Sequence, residues 1–191
     1  MKTRLVRFTV VVAVVLAIGA LAGACGRSGQ AGHHSHQGMA MDMSASNGPS
    51  RPAAMICSAE TRDAVRRTFG LSSPPTSAHT WNERQRLYSC VYDVRGGRLT
   101  LSVKDAADVT AGRGYFGRLR SRLTGVQAIR GVQALGFPSY QSTTGQVVFL
   151  KDGKTLDVDA GRLPGSALPK GFSRAEAAYG VASAVIACWT E

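Results

Sequence analysis

The chain has 191 residues, 44% hydrophobic and 18% charged, with 23 Lys or Arg against 12 Asp or Glu and a formal charge of +11. It contains no G-x-S-x-G, H-E-x-x-H or C-x-x-C, so the common signatures of hydrolytic, zinc and thiol-redox catalysis are missing. Strong basic charge often signals a nucleic-acid partner, but the start of this chain reads as an export signal, which sends the rest away from nucleic acid.

Residues 1–7 carry Lys2, Arg4 and Arg7 and no acid. Residues 8–24 are apolar or small, and Ala22-Gly23-Ala24 precedes Cys25. A charged start, an apolar middle and a small-residue cleavage site make a secretory signal over 1–24. Its positive end stays inside while the apolar run enters the bilayer. The segment Leu21-Ala22-Gly23-Ala24-Cys25 resembles the lipobox of bacterial lipoproteins. That resemblance implies lipidation of the Cys25 sulfur and cleavage just before it, leaving the protein held on the extracytoplasmic face of the cell membrane. Plain cleavage at the same bond, or an uncleaved membrane helix, are the alternatives.

Residues 25–54 have almost no large aliphatic side chain and are expected to form a flexible tether, since they bury too little apolar surface to offset the entropy of ordering. Within it, His33, His34, His36, Met39, Met41 and Met43 lie in eleven residues, with Asp42 among them. Imidazole suits Cu(II) and thioether sulfur suits Cu(I). The stretch resembles the His/Met-rich tracts of exported copper-handling proteins, which implies copper as the bound ion. The alternatives are adventitious or other metal binding and a plain polar linker of low complexity.

Residues 1–24 hold three of the basic residues and no acid, so the rest of the chain keeps a formal charge of +8. Outside the cytoplasm the nearer partner for that charge is the anionic membrane surface. Surface solvation by Arg, which outnumbers Lys 18 to 5, is the simpler reading. Three cysteines come after Cys25, namely Cys57, Cys90 and Cys188. In an oxidising compartment they allow one disulfide and one cysteine left over. Cys57–Cys90 is favoured, with Cys57–Cys188 as the alternative.

Residues 55–191 are expected to form the folded domain, a normal length for one core. Ser58 can cap a helix to Phe69, with Glu60 in its first turn and Gly70 ending it. Tyr88 to Val94 reads as a strand with Tyr88, Cys90 and Tyr92 on one face. Arg95-Gly96-Gly97-Arg98 turns it into a return strand with Leu99, Leu101 and Val103 inward. From Ala106 to Leu123 the period becomes helical, with Val109, Phe116, Leu119 and Leu123 on one side. Short strands come next at 138–143, 146–151 and 154–159, the last two joined by Asp152-Gly153. A helix opening on the capping box Ser173…Glu176 closes the chain, with Ala178, Val181, Ala182, Val185, Ile186 and Trp189 inward. The order α-β-β-α-β-β-β-α predicts an α+β fold, an antiparallel sheet of about five strands packed with three helices.

Three further patterns have a structural reading. Gly112-Arg113-Gly114-Tyr115-Phe116-Gly117 matches G-x-G-x-x-G in letters, yet it does not follow a strand directly and lacks the downstream acid of a dinucleotide site. Asp157 and Asp159 share a strand face; with Leu156 and Val158 inward, both acids are expected to face water. His79 stands in a loop beside Trp81 with no nucleophile near.

The arrangement around Cys57, the Tyr88–Tyr92 strand with Cys90, the Gly153 hairpin and the closing Ala187-Cys188-Trp189 resembles small actinobacterial lipoproteins that carry a domain of unknown function. The resemblance implies a cell-envelope location and a compact α+β fold, and it transfers no site residue. The expectation is thus a non-enzymatic lipoprotein whose tether binds copper. The alternative is an envelope binding module for a protein, lipid or small molecule, with no metal role.

Overall fold

The computed structural model describes residues 48–189, which form an α+β fold around one open antiparallel sheet. Seven strands are ordered β1-β2-β3-β7-β6-β5-β4. They are β1 (Ser77–Asn82), β2 (Leu87–Val94), β3 (Gly97–Lys104), β4 (Gln127–Ala128), β5 (Ser139–Gln141), β6 (Gln146–Lys151) and β7 (Lys154–Asp159). Four helices accompany them: α1 (Arg51–Ala54), α2 (Ala59–Phe69), α3 (Val109–Arg122) and α4 (Arg174–Cys188).

The α+β class stands as expected, whereas the sheet is wider than five strands and the helices number four. The two added strands sit at the sheet's edges. Five of the six residues of β1 are exposed and the sixth is half-buried, so no alternation betrays it. It places His79 and Trp81 on a strand rather than in a loop, with His79 against the Tyr88 ring at 5.7 Å. The other, β4, has only two residues, paired Gln127 to Gln141 and Ala128 to Tyr140. The added helix α1 is a single turn capped by the Ser50 side chain, with Pro52 and Ala53 buried.

Local chemistry explains the rest. Ser58 caps α2 by accepting from the Thr61 N–H, and Gly70 ends it in the left-handed conformation. The capping box of Ser173 and Glu176 opens α4 from both sides, with Ser173 N to Glu176 Oε2 at 2.7 Å. Asp152 and Gly153, both with positive φ, make the two-residue turn between β6 and β7, and Arg95-Gly96 does the same between β2 and β3.

The main core lies on one face of the sheet. Tyr88, Cys90, Tyr92, Leu99, Leu101, Val103, Val147, Phe149, Leu156 and Val158 meet Val65 and Phe69 of α2 and Ala178, Val181, Ala182, Val185 and Ile186 of α4. The disulfide Cys57–Cys90, with Cα atoms 5.6 Å apart, ties the turn Met55–Cys57 to β2. Beside it the Tyr92 hydroxyl donates to the Ile56 carbonyl at 2.6 Å. None of the described cysteines is a free thiol, Cys188 included, so the expected leftover cysteine is not found among them.

Helix α3 covers part of the other face, over β6 and β7. It begins at Val109, capped by the Asp108 carboxylate at 2.7 Å from the Ala111 N–H, three residues later than the periodicity suggested. Val109 does not face inward: it is 51% exposed, and Gly112 is the buried residue of this helix.

Candidate functional site

Among the described residues, the strongest chemical irregularity lies under α3. Strand register builds it. On β7, Thr155 and Asp157 point to the face opposite Leu156 and Val158. Ser102 on β3 and Val148 on β6 flank Asp157, Lys104 and Leu150 flank Thr155, and Tyr140 on β5 stands beyond Val148. From above, α3 brings Tyr115 and Phe116. The Phe116 ring packs on Tyr140 at 4.8 Å, and the Tyr140 hydroxyl donates to the Phe116 carbonyl at 3.2 Å.

Asp157, half-buried as a residue, therefore does not stand free in water as alternation suggested. Its Oδ1 is shut off from solvent with no hydrogen-bond partner, and the Thr155 hydroxyl is in the same condition. The physical reason is that both faces of the sheet are covered at β7, so the polar side of an alternating strand is roofed by a helix. Burial pushes the Asp157 carboxyl up to about 7, and the neighbouring Asp159 charge adds to the effect. Burial, reinforced by Asp157, also raises the phenols of Tyr115 and Tyr140. Asp159 stays outward, its Oδ1 accepting from the Gly161 N–H at 2.7 Å. The Lys104 ammonium lies 5.7 Å from the Tyr115 ring, and burial together with Arg86 and Arg118 lowers its proton affinity.

What this arrangement can do is hold a proton near neutrality and offer one carboxyl oxygen and one hydroxyl to a polar ligand. The serine that flanks Asp157, Ser102 on β3, has its hydroxyl paired with that of Ser89 at 3.1 Å. Open clefts lie elsewhere among the described residues. One of about 340 Å³ runs between α2 and α4 past Met55, Thr61, Ala64 and Val185, and one of about 360 Å³ adjoins Ser173 and Arg174 at the start of α4.

Of the residues singled out from sequence, Cys57 and Cys90 are brought together as favoured. Cys25 and the whole set His33, His34, His36, Met39, Met41 and Met43 lie outside the described residues. Among the described residues no group of three or more His, Cys, Asp or Glu is placed to hold a metal ion, and no helix is long and apolar enough to cross a membrane. The glycines of the G-x-G-x-x-G run lie within α3, and no strand leads directly into them. Gly112 is there because the helix touches the β6–β7 turn: a Cβ at Gly112 would stand 1.8 Å from the Gly153 carbonyl oxygen. What the sequence does not reveal is the burial of Asp157: two residues from Asp159 on the same strand face, it reads as a solvated carboxylate.

Comparison with family models, with curated proteins and with solved structures finds no match for this chain.

Proposed function

We propose that this chain is a lipoprotein of the extracytoplasmic membrane face, anchored through Cys25, non-enzymatic, with a tether that binds copper. The observation that carries the proposal is the Cys57–Cys90 disulfide built into the core, with Cys90 fully buried. Structural disulfides persist in oxidising compartments and are rare in the cytosol. The disulfide therefore supports the export that the signal-like residues 1–24 and the lipobox-like Leu21–Cys25 imply. Outside the cell, His33, His34 and His36 supply imidazoles for Cu(II), and Met39, Met41 and Met43 supply thioethers for Cu(I). The likeness to actinobacterial envelope lipoproteins belongs to this reading and adds no residue role to it.

Two measurements test it. Titration with Cu(I) and with Cu(II) should show tighter binding by the full chain than by a chain lacking residues 33–43; equal affinity of the two overturns the copper role. Mass analysis of the unreduced protein should find Cys25 as a lipidated N-terminus. A peptide joining Cys25 to Cys188 overturns the anchor, because a sulfur held in a disulfide cannot carry the lipid thioether.

A second reading, a binding module of the envelope whose tether is inert, is favoured by the unpartnered Asp157 Oδ1 and Thr155 hydroxyl. Buried polar atoms are seldom left without partners. A small polar ligand reaching beneath α3 would satisfy both.

A further inference from the structure

The chain enters the fold at one end of the sheet. The Ser50 N–H donates to Asp105 Oδ2 at 2.8 Å, and Asp105, 2% exposed, also receives the Arg86 guanidinium at 3.4 Å. Asp105 comes directly after β3, and Lys104 pairs with Thr155 near the start of β7. The β6–β7 turn at Asp152-Gly153 is at this same end, with Val109 of α3 against Gly153. So is the loop 129–137, because Leu150 N–H donates to the Pro138 carbonyl at 2.9 Å.

Four large apolar side chains are exposed among the described residues, and three of them are here. Val132 is 91% exposed, Val109 51% and Leu135 39%. The fourth, Phe172, precedes α4 at the opposite end, where Gly145 of the β5–β6 turn meets Arg174. The loop that presents Val132 has an unusual backbone. Leu135 has φ +53 between Gly131 at +63 and Gly136 at +80, and a bulky side chain adopts that conformation against its local preference. Residues 109–151 contain no acid, with the exposed Asp108 and Asp152 just outside them, while Arg113 and Arg130 are exposed within them.

We propose that this end of the domain docks on the anionic membrane surface, with Val132 and Leu135 inserted at the headgroup boundary and Arg130 against lipid phosphate. The inference rests on the anchoring reading, and Ser50, held by Asp105, lies at this same end of the fold. Apolar side chains on a short loop, rimmed by arginine, are what an interfacial anchor requires. A protein partner would need a contiguous surface of about 1,000 Å² or more, and the exposed apolar groups here are a few projecting side chains rather than a continuous face.

The test uses the full chain in vesicles of phosphatidylcholine, alone or mixed with phosphatidylglycerol, with brominated acyl chains as quencher. Val132→Trp should be quenched about twofold or more above the wild-type background from Trp81 and Trp189, and more strongly with phosphatidylglycerol present. Phe172→Trp, at the opposite end, should stay at background. Val132→Trp at background, or Phe172→Trp quenched equally, overturns the docking. Failure of the anchor is read separately from the mass of the Cys25 peptide. A lipidated Cys25 with unquenched Val132→Trp overturns the docking alone, and an unlipidated Cys25 overturns the anchoring reading on which it rests.

Discussion

At the scale of single residues, Asp157 makes stability depend on pH in an unusual direction. Most carboxylates in folded proteins are stabilised as anions, so acid unfolds them; Asp157 is stabilised as the neutral acid. In the unfolded chain it ionises near 4, whereas in the fold burial holds its proton up to about 7. Between those values the unfolded state binds fewer protons than the folded one, so this group's contribution falls as pH rises from about 4 to about 7. Asp157→Asn keeps the shape and removes the charge. It should raise the unfolding free energy at pH 8 by roughly 2–4 kcal/mol and change little at pH 4. Denaturant unfolding at the two pH values checks this, and an equal effect at both would show that Asp157 ionises freely in the fold.

At the scale of elements, α3 combines weak helix chemistry with a close contact that needs it. Three of its fourteen residues are glycine, each costing about 1 kcal/mol against alanine in a helix interior. Propensity alone predicts that every Gly→Ala change here stabilises. Gly112→Ala should instead destabilise by about 1–3 kcal/mol, because the new Cβ meets the Gly153 backbone and the helix must lift from the sheet. Gly117→Ala, with nothing within 4 Å of its Cβ position, should stabilise by about 0.5–1 kcal/mol. Thermal unfolding of the two variants checks the opposite signs; the same sign in both would mean that α3 does not rest on the turn.

For the molecule as a whole, the disulfide joins residues 33 apart and fastens the segment before α2 to the second strand of the sheet. Closing such a loop limits the unfolded chain and stabilises by about 3–4 kcal/mol in the chain-entropy account. Replacing both Cys57 and Cys90 by Ser should lower the melting temperature by roughly 10 °C or more in calorimetry. An unchanged melting temperature would mean that the Tyr92–Ile56 bond and core packing already hold that segment in place.

Much of this architecture is legible in the order of residues. Helices α2 and α4 announce themselves through Ser58, Gly70 and the Ser173–Glu176 box, since caps are local chemistry. The β2–β3 and β6–β7 hairpins are readable from glycine-bearing turns between alternating runs, since a tight turn needs positive φ within two residues. The antiparallel α+β class comes from the order of those elements. Strand β1 is hidden because an exposed edge strand buries neither face, and β4 because two residues carry no period. Whether Asp157 meets water, why Gly112 must be glycine and which end of the sheet collects Val109, Val132 and Leu135 depend on contacts between segments far apart in the chain. Period and capping describe what a segment does with its own neighbours. What roofs a sheet face, and what shares its end, is decided only when distant segments pack together.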